Sequence, residues 1–237
     1  NSGTLLEPSV GTGNLLKYID IHKYSEIDVY ELKMDYLNQI TEPQFNKYNQ
    51  DFLLSGDKQY DNIILNPPYI KIQDLTPEYR KFIKQQFSLL KNGSVDIYYA
   101  FLLKCLGKLK TNGVMVAITP NSFLYNKSAY PLRKYLIDNR YIQEIIDFKE
   151  DKVFGNKVSV YCCITIFTKC EKDVLLYNNT PISYHNIQNY SLFSNTTTGK
   201  TLKDVCKITN GIATLRDKIF IHEEKLYNEP CWKPITN

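Results

Sequence analysis

One tryptophan and two methionines stand against 19 tyrosines. With abundant Lys, Asn and Ile, that bias is the habit of an AT-rich coding genome rather than a functional signature. No apolar run approaches the roughly 20 residues that a membrane-spanning helix needs. Residues 1–20 carry Glu7 and Asp20 and have no basic start leading into an apolar block, so membrane and secretory classes fall away. None of the six cysteines is spaced as C-x2-C or C-x4-C, which removes zinc ribbons and thioredoxin-like motifs. Adjacent Cys162 and Cys163 sit in an apolar run over residues 158–167 and read as small hydrophobes. Reduced thiols in a cytoplasmic protein are the simplest expectation. His22, His185 and His222 have no spacing that suggests a triad or a metal site, and no metal is expected. The net charge of +4 permits a polyanionic partner but falls short of the strongly basic footprint of a pure nucleic-acid-binding domain.

What is there is an ordinary globular balance, 43% hydrophobic and 23% charged over 237 residues, enough for one full α/β domain and part of another. Short apolar runs alternate with helix-like segments up to about Lys169, the rhythm of βαβ units and a mostly parallel sheet. Seven strands are predicted, at residues 4–6, 27–30, 51–54, 62–65, 113–118, 141–148 and 158–167. Helices are predicted over 14–21, 34–40, 77–90, 95–109 and 129–139. Leu102, Leu103, Leu106 and Leu109 recur at spacings of three and four, so one face of that helix packs on the sheet. The last two strands are separated by too few residues for a parallel crossover and should pair antiparallel. After Lys169 the texture turns to Asn, Thr, Ser and Tyr, with turn-rich stretches at 178–181 and 195–199. A domain boundary is therefore expected near 170, or as late as 200, with 171–237 as a linker and the start of a second domain.

The sharpest local feature is Asn66-Pro67-Pro68-Tyr69, directly after the apolar strand at 62–65. In an open α/β sheet ligands sit beyond the carboxyl ends of strands. The two prolines stiffen the backbone and aim the Asn66 side-chain oxygen and a main-chain carbonyl. Two such acceptors suit an exocyclic amino group that must free its lone pair from ring conjugation, and Tyr69 offers a flat face for a base. A strand-ending proline turn with a packed tyrosine is the plain alternative. Gly11 and Gly13 follow the first strand, where a glycine turn lets backbone approach a cofactor. Leu16 occupies the third position of G-x-G-x-x-G, which argues against NAD. Glu31 ends the second strand, where an acid can take ribose hydroxyls. Asp51 and Phe52 at the third pair an acceptor for an adenine amino group with an aromatic contact. Each of these three has an ordinary structural explanation alone; their order on successive strands raises them together.

On these motifs the sequence resembles the gamma-class, Taq-like DNA adenine-N6 methyltransferases of restriction-modification systems. Glu7-Pro8-Ser9-Val10-Gly11-Thr12-Gly13 is similar to the family's cofactor motif, and Asn66-Pro67-Pro68-Tyr69 to its catalytic motif. Residues 153–159 are similar to the segment whose aromatic residue, here Phe154, sandwiches the flipped adenine. Residues 210–220 are similar to the opening of the target-recognition domain, with Leu215 in place of the usual glycine. The resemblance implies a Rossmann-like seven-stranded sheet, mostly parallel and ending in an antiparallel hairpin, over 1–170, and a truncated target-recognition domain thereafter. It also implies S-adenosylmethionine as cofactor, with Glu7, Pro8, Gly11 and Gly13 at its methionine portion, Glu31 at its ribose, and Asp51 and Phe52 at its adenine. Asn66 and the Pro67 carbonyl would accept the amino hydrogens of an adenine extruded from double-stranded DNA, with Tyr69 and Phe154 stacking on it. A restriction endonuclease, fused or separate, would be the partner.

A protein-glutamine N5 methyltransferase shares the Asn-Pro-Pro-Tyr chemistry, and a catalytically silent DNA-binding module is the rival from another class. The roughly 70 residues after the sheet favour the DNA enzyme over the first, and intact Asn66, Tyr69, Gly11 and Gly13 favour it over the second. Lys71, Arg80, Lys81, Lys84 and Lys91 read either as phosphate contacts or as a solvated helix face. The family's segment preceding the cofactor motif is missing here, so the chain reads as an excerpt.

Overall fold

Central strands of a parallel sheet are covered on both faces and therefore carry consecutive apolar residues, as Leu5-Leu6 do in β1 (Gly3–Glu7) and Ile63-Ile64-Leu65 in β4 (Tyr60–Leu65). Their alternation sorts side chains into two layers. Leu6, Ile63 and Leu65 join one core with residues of the helices α2 (Pro77–Gln86), α3 (Tyr98–Lys108) and α4 (Tyr130–Asp138). Leu5 packs on the opposite face with Ile27, Val29, Leu16, Leu37 and Ile40. The computed structural model describes residues 3–91, 95–149 and 161–192, all of which lie in a compact unit ending at Ser194.

The remaining strands are β2 (Tyr24–Tyr30), β3 (Phe45–Tyr48), β5 (Leu109–Pro120), β6 (Ile142–Asp147), β7 (Cys162–Thr168), β8 (Val174–Tyr177) and β9 (Thr180–Ser183). A four-residue α1 (Met34–Leu37) lies between β2 and β3. Together the strands form one sheet of order β3-β2-β1-β4-β5-β7-β6-β8-β9. The pairs from β3 through β5 are all parallel. β7 inserts antiparallel between β5 and β6, which is the expected α/β layout with its antiparallel hairpin.

Three departures from the sequence expectations have local causes. Among the described residues the sheet has nine strands rather than seven, because the chain past Lys169 turns back through Asn178 and Asn179. Both have positive φ, 43° and 65°, the two-residue geometry that favours tight hairpins, and β8 and β9 extend the sheet beyond β6. Residues 51–54 are not a strand: Asp51 caps a 3₁₀ turn at Phe52–Leu54, accepting from Leu53 N at 2.9 Å, and the third strand is the more polar Phe45–Tyr48. The segment expected as a helix at 14–21 makes only short 3₁₀ turns. α3 meets its expectation, with Leu102, Leu106 and Leu109 fully covered. Cys105, Cys162 and Cys163 are buried free thiols. No helix of the described residues is long and apolar enough to cross a membrane.

Within the sheet the fully buried Asp28 of β2 accepts from Tyr60 Oη at 2.6 Å, Lys58 Nζ at 2.7 Å and Asn46 Nδ2 at 2.8 Å. Asp28→Ala strands the covered Tyr60 hydroxyl and should lower stability by on the order of 3 kcal/mol in urea unfolding. A loss below about 1 kcal/mol would contradict this, since that is the range of an exposed pair.

Candidate active site

The strand order reverses direction between β1 and β4, and such a switch point leaves a crevice at the carboxyl ends of the strands. Direct pairing between the two strands covers only Leu5↔Asn62 and Leu6↔Ile63, so they diverge before their ends. Glu7 and Ser9 stand on one side of the opening and Asn66 on the other. The Ser9 hydroxyl crosses it, donating to the Asn66 carbonyl at 3.0 Å.

The chain after β1 is a tight turn in which Gly13 N donates to Val10 O at 2.9 Å and Val10 N to Tyr30 O at 3.0 Å. Gly11 and Gly13 have φ of +53° and +78°, the left-handed region that glycine enters without penalty. No heavy atom lies within 4 Å of where a Cβ on Gly11 would stand, which leaves room for a ligand against the backbone. Pro8 is buried beneath the turn. Glu7 is 1% exposed. Its Oε1 accepts from Ser9 N at 3.3 Å, while Oε2 has no hydrogen-bond partner among the described residues. Burial pushes the carboxyl up to about 8, against a smaller downward effect of the Ser9 N–H. A buried oxygen without a donor calls for one from a ligand, and a cationic N–H is the donor that would also restore the carboxylate.

The next acids along the rim are held differently. Glu31 accepts from Gly11 N at 3.0 Å and Lys33 N at 2.9 Å, one bond per carboxylate oxygen. Each oxygen keeps a lone pair for a hydroxyl. Asp51 accepts from Leu53 N and, through Oδ2, from the Tyr79 hydroxyl. Phe52 is 2% exposed and lies within the core, its ring centroid 5.4 Å from that of Tyr30 and 5.5 Å from that of Phe101. Any ligand contact it makes must therefore use an edge that this packing leaves uncovered.

Beyond β4, Asn66 is half-buried and its Oδ1 accepts from the Tyr69 hydroxyl at 2.7 Å. The same hydroxyl lies 3.1 Å from Ile118 O; its single proton serves one of the two at a time. Burial holds the Tyr69 hydroxyl well above the ordinary tyrosine range, with the Cys162 thiol adding to the effect. Its ring meets Tyr98 edge-on at 6.1 Å. Pro67 is buried. The structure thus brings Glu7, Pro8, Gly11, Gly13, Glu31, Asp51, Asn66, Pro67 and Tyr69 to one rim, with Phe52 beneath it. Phe154 and residues 210–220 lie outside the described residues.

Two features of this rim were not legible beforehand. Tyr79, from the first turn of α2, reaches Asp51. At the ends of β5 and β6, Asn121 Nδ2 donates to the buried Asp147 at 2.9 Å, and the Tyr177 hydroxyl donates to the other Asp147 oxygen at 2.7 Å. Burial, then the charge of Asp147, pushes Tyr125 beside them up to about 12. No spacing in the sequence signals either set, because the partners are 26 to 30 residues apart.

The Glu7 carboxyl makes folding pH-dependent. The unfolded chain releases this proton near 4.5 and the folded, ligand-free chain holds it to about 8. Stability contributed by this site therefore falls as pH rises between those values and levels off above them, with a limiting slope of about 1.4 kcal/mol per pH unit. Glu7→Gln should remove that slope in urea unfolding of the ligand-free protein at pH 5 to 8.5; equal slopes in both proteins would contradict it.

Comparison with known proteins gives this rim its family. Over 156 residues, 65% of this chain and 30% of the relative, the sequence is 36% identical to the type II methyltransferase M.HincII of Haemophilus influenzae. The chain thus spans about a third of that relative's length. The fold matches the methyltransferase subunit of a type I restriction-modification system from Streptococcus thermophilus, with a TM-score of 0.57 and 21% identity over 74% of this chain and 42% of that one. It also matches a chain described as a class I S-adenosylmethionine-dependent methyltransferase of Listeria monocytogenes, with a TM-score of 0.59 and 17% identity over 76% and 59% of the two chains. The sequence model of one family matches residues 14–154, more than half of the chain, and the chain belongs to that family, the Eco57I restriction-modification methylases.

Proposed function

We propose that this chain is the catalytic part of a DNA methyltransferase that modifies the N6 amino group of adenine in double-stranded DNA. It would act in the cytoplasm as one half of a restriction-modification system, beside a fused or separate endonuclease. The observation that carries the reading is the pairing, across one switch point, of a buried carboxylate with an orphaned oxygen and an Asn-Pro-Pro-Tyr segment presenting amide and carbonyl acceptors. The first suits a cationic cofactor and the second an exocyclic amino group.

In this reading the Glu7 Oε2 receives the ammonium of S-adenosylmethionine, the open space over Gly11 takes its methionine backbone, Glu31 its ribose hydroxyls, and Asp51 with the Phe52 edge its adenine. Bound there, the cofactor supplies a methyl carbon activated by the adjacent sulfonium. Asn66 Oδ1 and the Pro67 carbonyl accept the two amino hydrogens of the target adenine. That would pull its nitrogen lone pair out of ring conjugation and stabilise the positive charge growing on nitrogen as the N–CH3 bond forms and the sulfonium C–S bond breaks, leaving a neutral thioether, with one amino proton then lost to water. Asn66 Oδ1 already accepts from Tyr69, and its second lone pair is the one available to the base. Tyr69 supplies one stacking face and Phe154 the other. Stacking of about 1–3 kcal/mol per base offsets the few kcal/mol needed to extrude a nucleotide from the duplex.

The test is transfer of labelled methyl from S-adenosylmethionine to duplex DNA by the full-length protein, with the product identified after digestion to nucleosides. The expected product is N6-methyladenine, and Asn66→Ala should slow its formation about a hundredfold or more while cofactor affinity changes little. Label in N4-methylcytosine would overturn the adenine assignment, and label only in protein glutamine would overturn the DNA substrate.

A further inference from the structure

We infer that the basic face of α2, continued by Lys91, is a docking surface for the sugar–phosphate backbone of duplex DNA, independent of base sequence; the inference rests on the DNA methyltransferase reading and names where that substrate is held. Pro77, Arg80, Lys81, Lys84 and Gln85 recur at spacings of three and four along α2 and share one face. With Lys91 they line a groove of about 490 Å³. Four of its six lining residues are cations and none is an acid. The net charge of the entire chain is only +4, so this groove holds a local excess as large as the whole chain's.

Within this face the charges are unfavourable for one another, and Glu78, the one acid of α2, does not line the groove. Lys81 with Lys84, and Arg80 with Lys84, are like charges at helical spacings that repel by a few tenths of a kcal/mol per pair. Among the described residues no acid pairs with any of the four cations. Elsewhere the chain does place such partners, as in Lys134–Asp138 at 2.7 Å. Arg80 is not simply extended into solvent either. Its Nη2 donates to Gln73 O at 2.7 Å and Leu75 O at 3.1 Å, which fixes the guanidinium at the groove wall. A polyanion with regularly spaced charges is the partner that relieves this repulsion. Arg80 and Lys84 stand roughly 6 Å apart along the helix axis, within reach of neighbouring phosphates of one strand.

The helix is also held in a set position relative to the Asn-Pro-Pro-Tyr segment. Seven residues separate Tyr69 from Pro77, and that connection is pinned by Ile97 N donating to Ile70 O and Ile72 N to Val95 O, both at 2.8 Å. On its other faces α2 buries Ile83 completely and sends Tyr79 to Asp51 on the cofactor rim. The basic stripe therefore points away from the core on a helix whose inner side touches the proposed adenine pocket of the cofactor.

The test uses the full-length protein and fluorescence anisotropy with two labelled duplexes of unrelated sequence, titrated between 0.1 and 1 M salt. Each phosphate contact contributes a slope of about 0.9 in log affinity against log salt. Lys81→Gln/Lys84→Gln/Lys91→Gln should therefore flatten the slope by about 2.7 for both duplexes, while Lys81→Arg/Lys84→Arg/Lys91→Arg keeps the wild-type slope. Cofactor affinity, measured calorimetrically, should be unchanged in both variants, which shows that they are folded. Wild-type affinity and slope in the glutamine variant would overturn this surface alone. Loss of affinity for only one duplex would overturn its independence of sequence, and tighter capture of duplex RNA than of DNA would reassign the face to another polyanion. Failure of the wild-type protein itself to bind duplex DNA would instead sink the DNA methyltransferase reading.

Discussion

The hydrogen bond from the Ser9 hydroxyl to the Asn66 carbonyl crosses the place where the sheet comes apart. β1 and β4 pair over only two residue pairs before they diverge, and the gap they open is the crevice that any ligand of this fold must use. One lip carries Glu7 and the glycine turn, the other Asn66 to Tyr69. A cofactor held on the first lip and an amino group held on the second meet only if the lips keep a fixed spacing. The Ser9 bond supplies that spacing directly, because it runs between the turn and the backbone of the residue whose side chain is the proposed acceptor. The Tyr69 hydroxyl does the same for the side chain, orienting Asn66 Oδ1 when it donates to it from its place beside Ile118 O near the end of β5.

Around this spacing the acids on the rim divide by environment. Glu31 and Asp51 are tied by backbone N–H donors and so keep a set orientation. Glu7 is buried with half its carboxyl unpartnered and holds its proton to about 8. That combination is unfavourable for the ligand-free protein and is relieved by a cationic ligand, so the cost of burying Glu7 becomes selectivity for charge. α2 extends the same economy of position: one side contributes Tyr79 to Asp51, another the groove of Arg80, Lys81 and Lys84. The proposed cofactor pocket and the proposed backbone contact thus meet at different faces of one helix.

What the sequence makes legible here is what depends on a few adjacent residues. The glycine turn and the Asn-Pro-Pro-Tyr segment are local, and both stand at the ends of the strands that their apolar runs foretell. The antiparallel entry of β7 was also readable, since residues 150–157, between the two expected strands, are too few to carry a crossover helix. Residues 51–54 misled because an apolar triplet after an acid looks like a strand, whereas Asp51 uses its side chain to cap a turn. The β8–β9 hairpin was hidden because its two asparagines mark a turn without showing that the flanking residues pair. Tyr79 with Asp51, and Asn121 with Asp147 and Tyr177, are contacts made by topology, and no local pattern announces them. Phe52 stands in the core, the ordinary explanation that its sequence position also allowed, and it does so from a turn rather than from a strand end.

The most direct measurement is the kinetics of Ser9→Ala in the full-length protein, set beside its cofactor affinity. Loss of one neutral hydrogen bond of about 1 kcal/mol that sets the spacing of the two lips should lower the methyl-transfer rate constant roughly fivefold, with the dissociation constant for S-adenosylmethionine nearly unchanged. A rate constant equal to wild type, or a loss confined to cofactor affinity, would contradict the claim that this bond holds the two halves of the site in register.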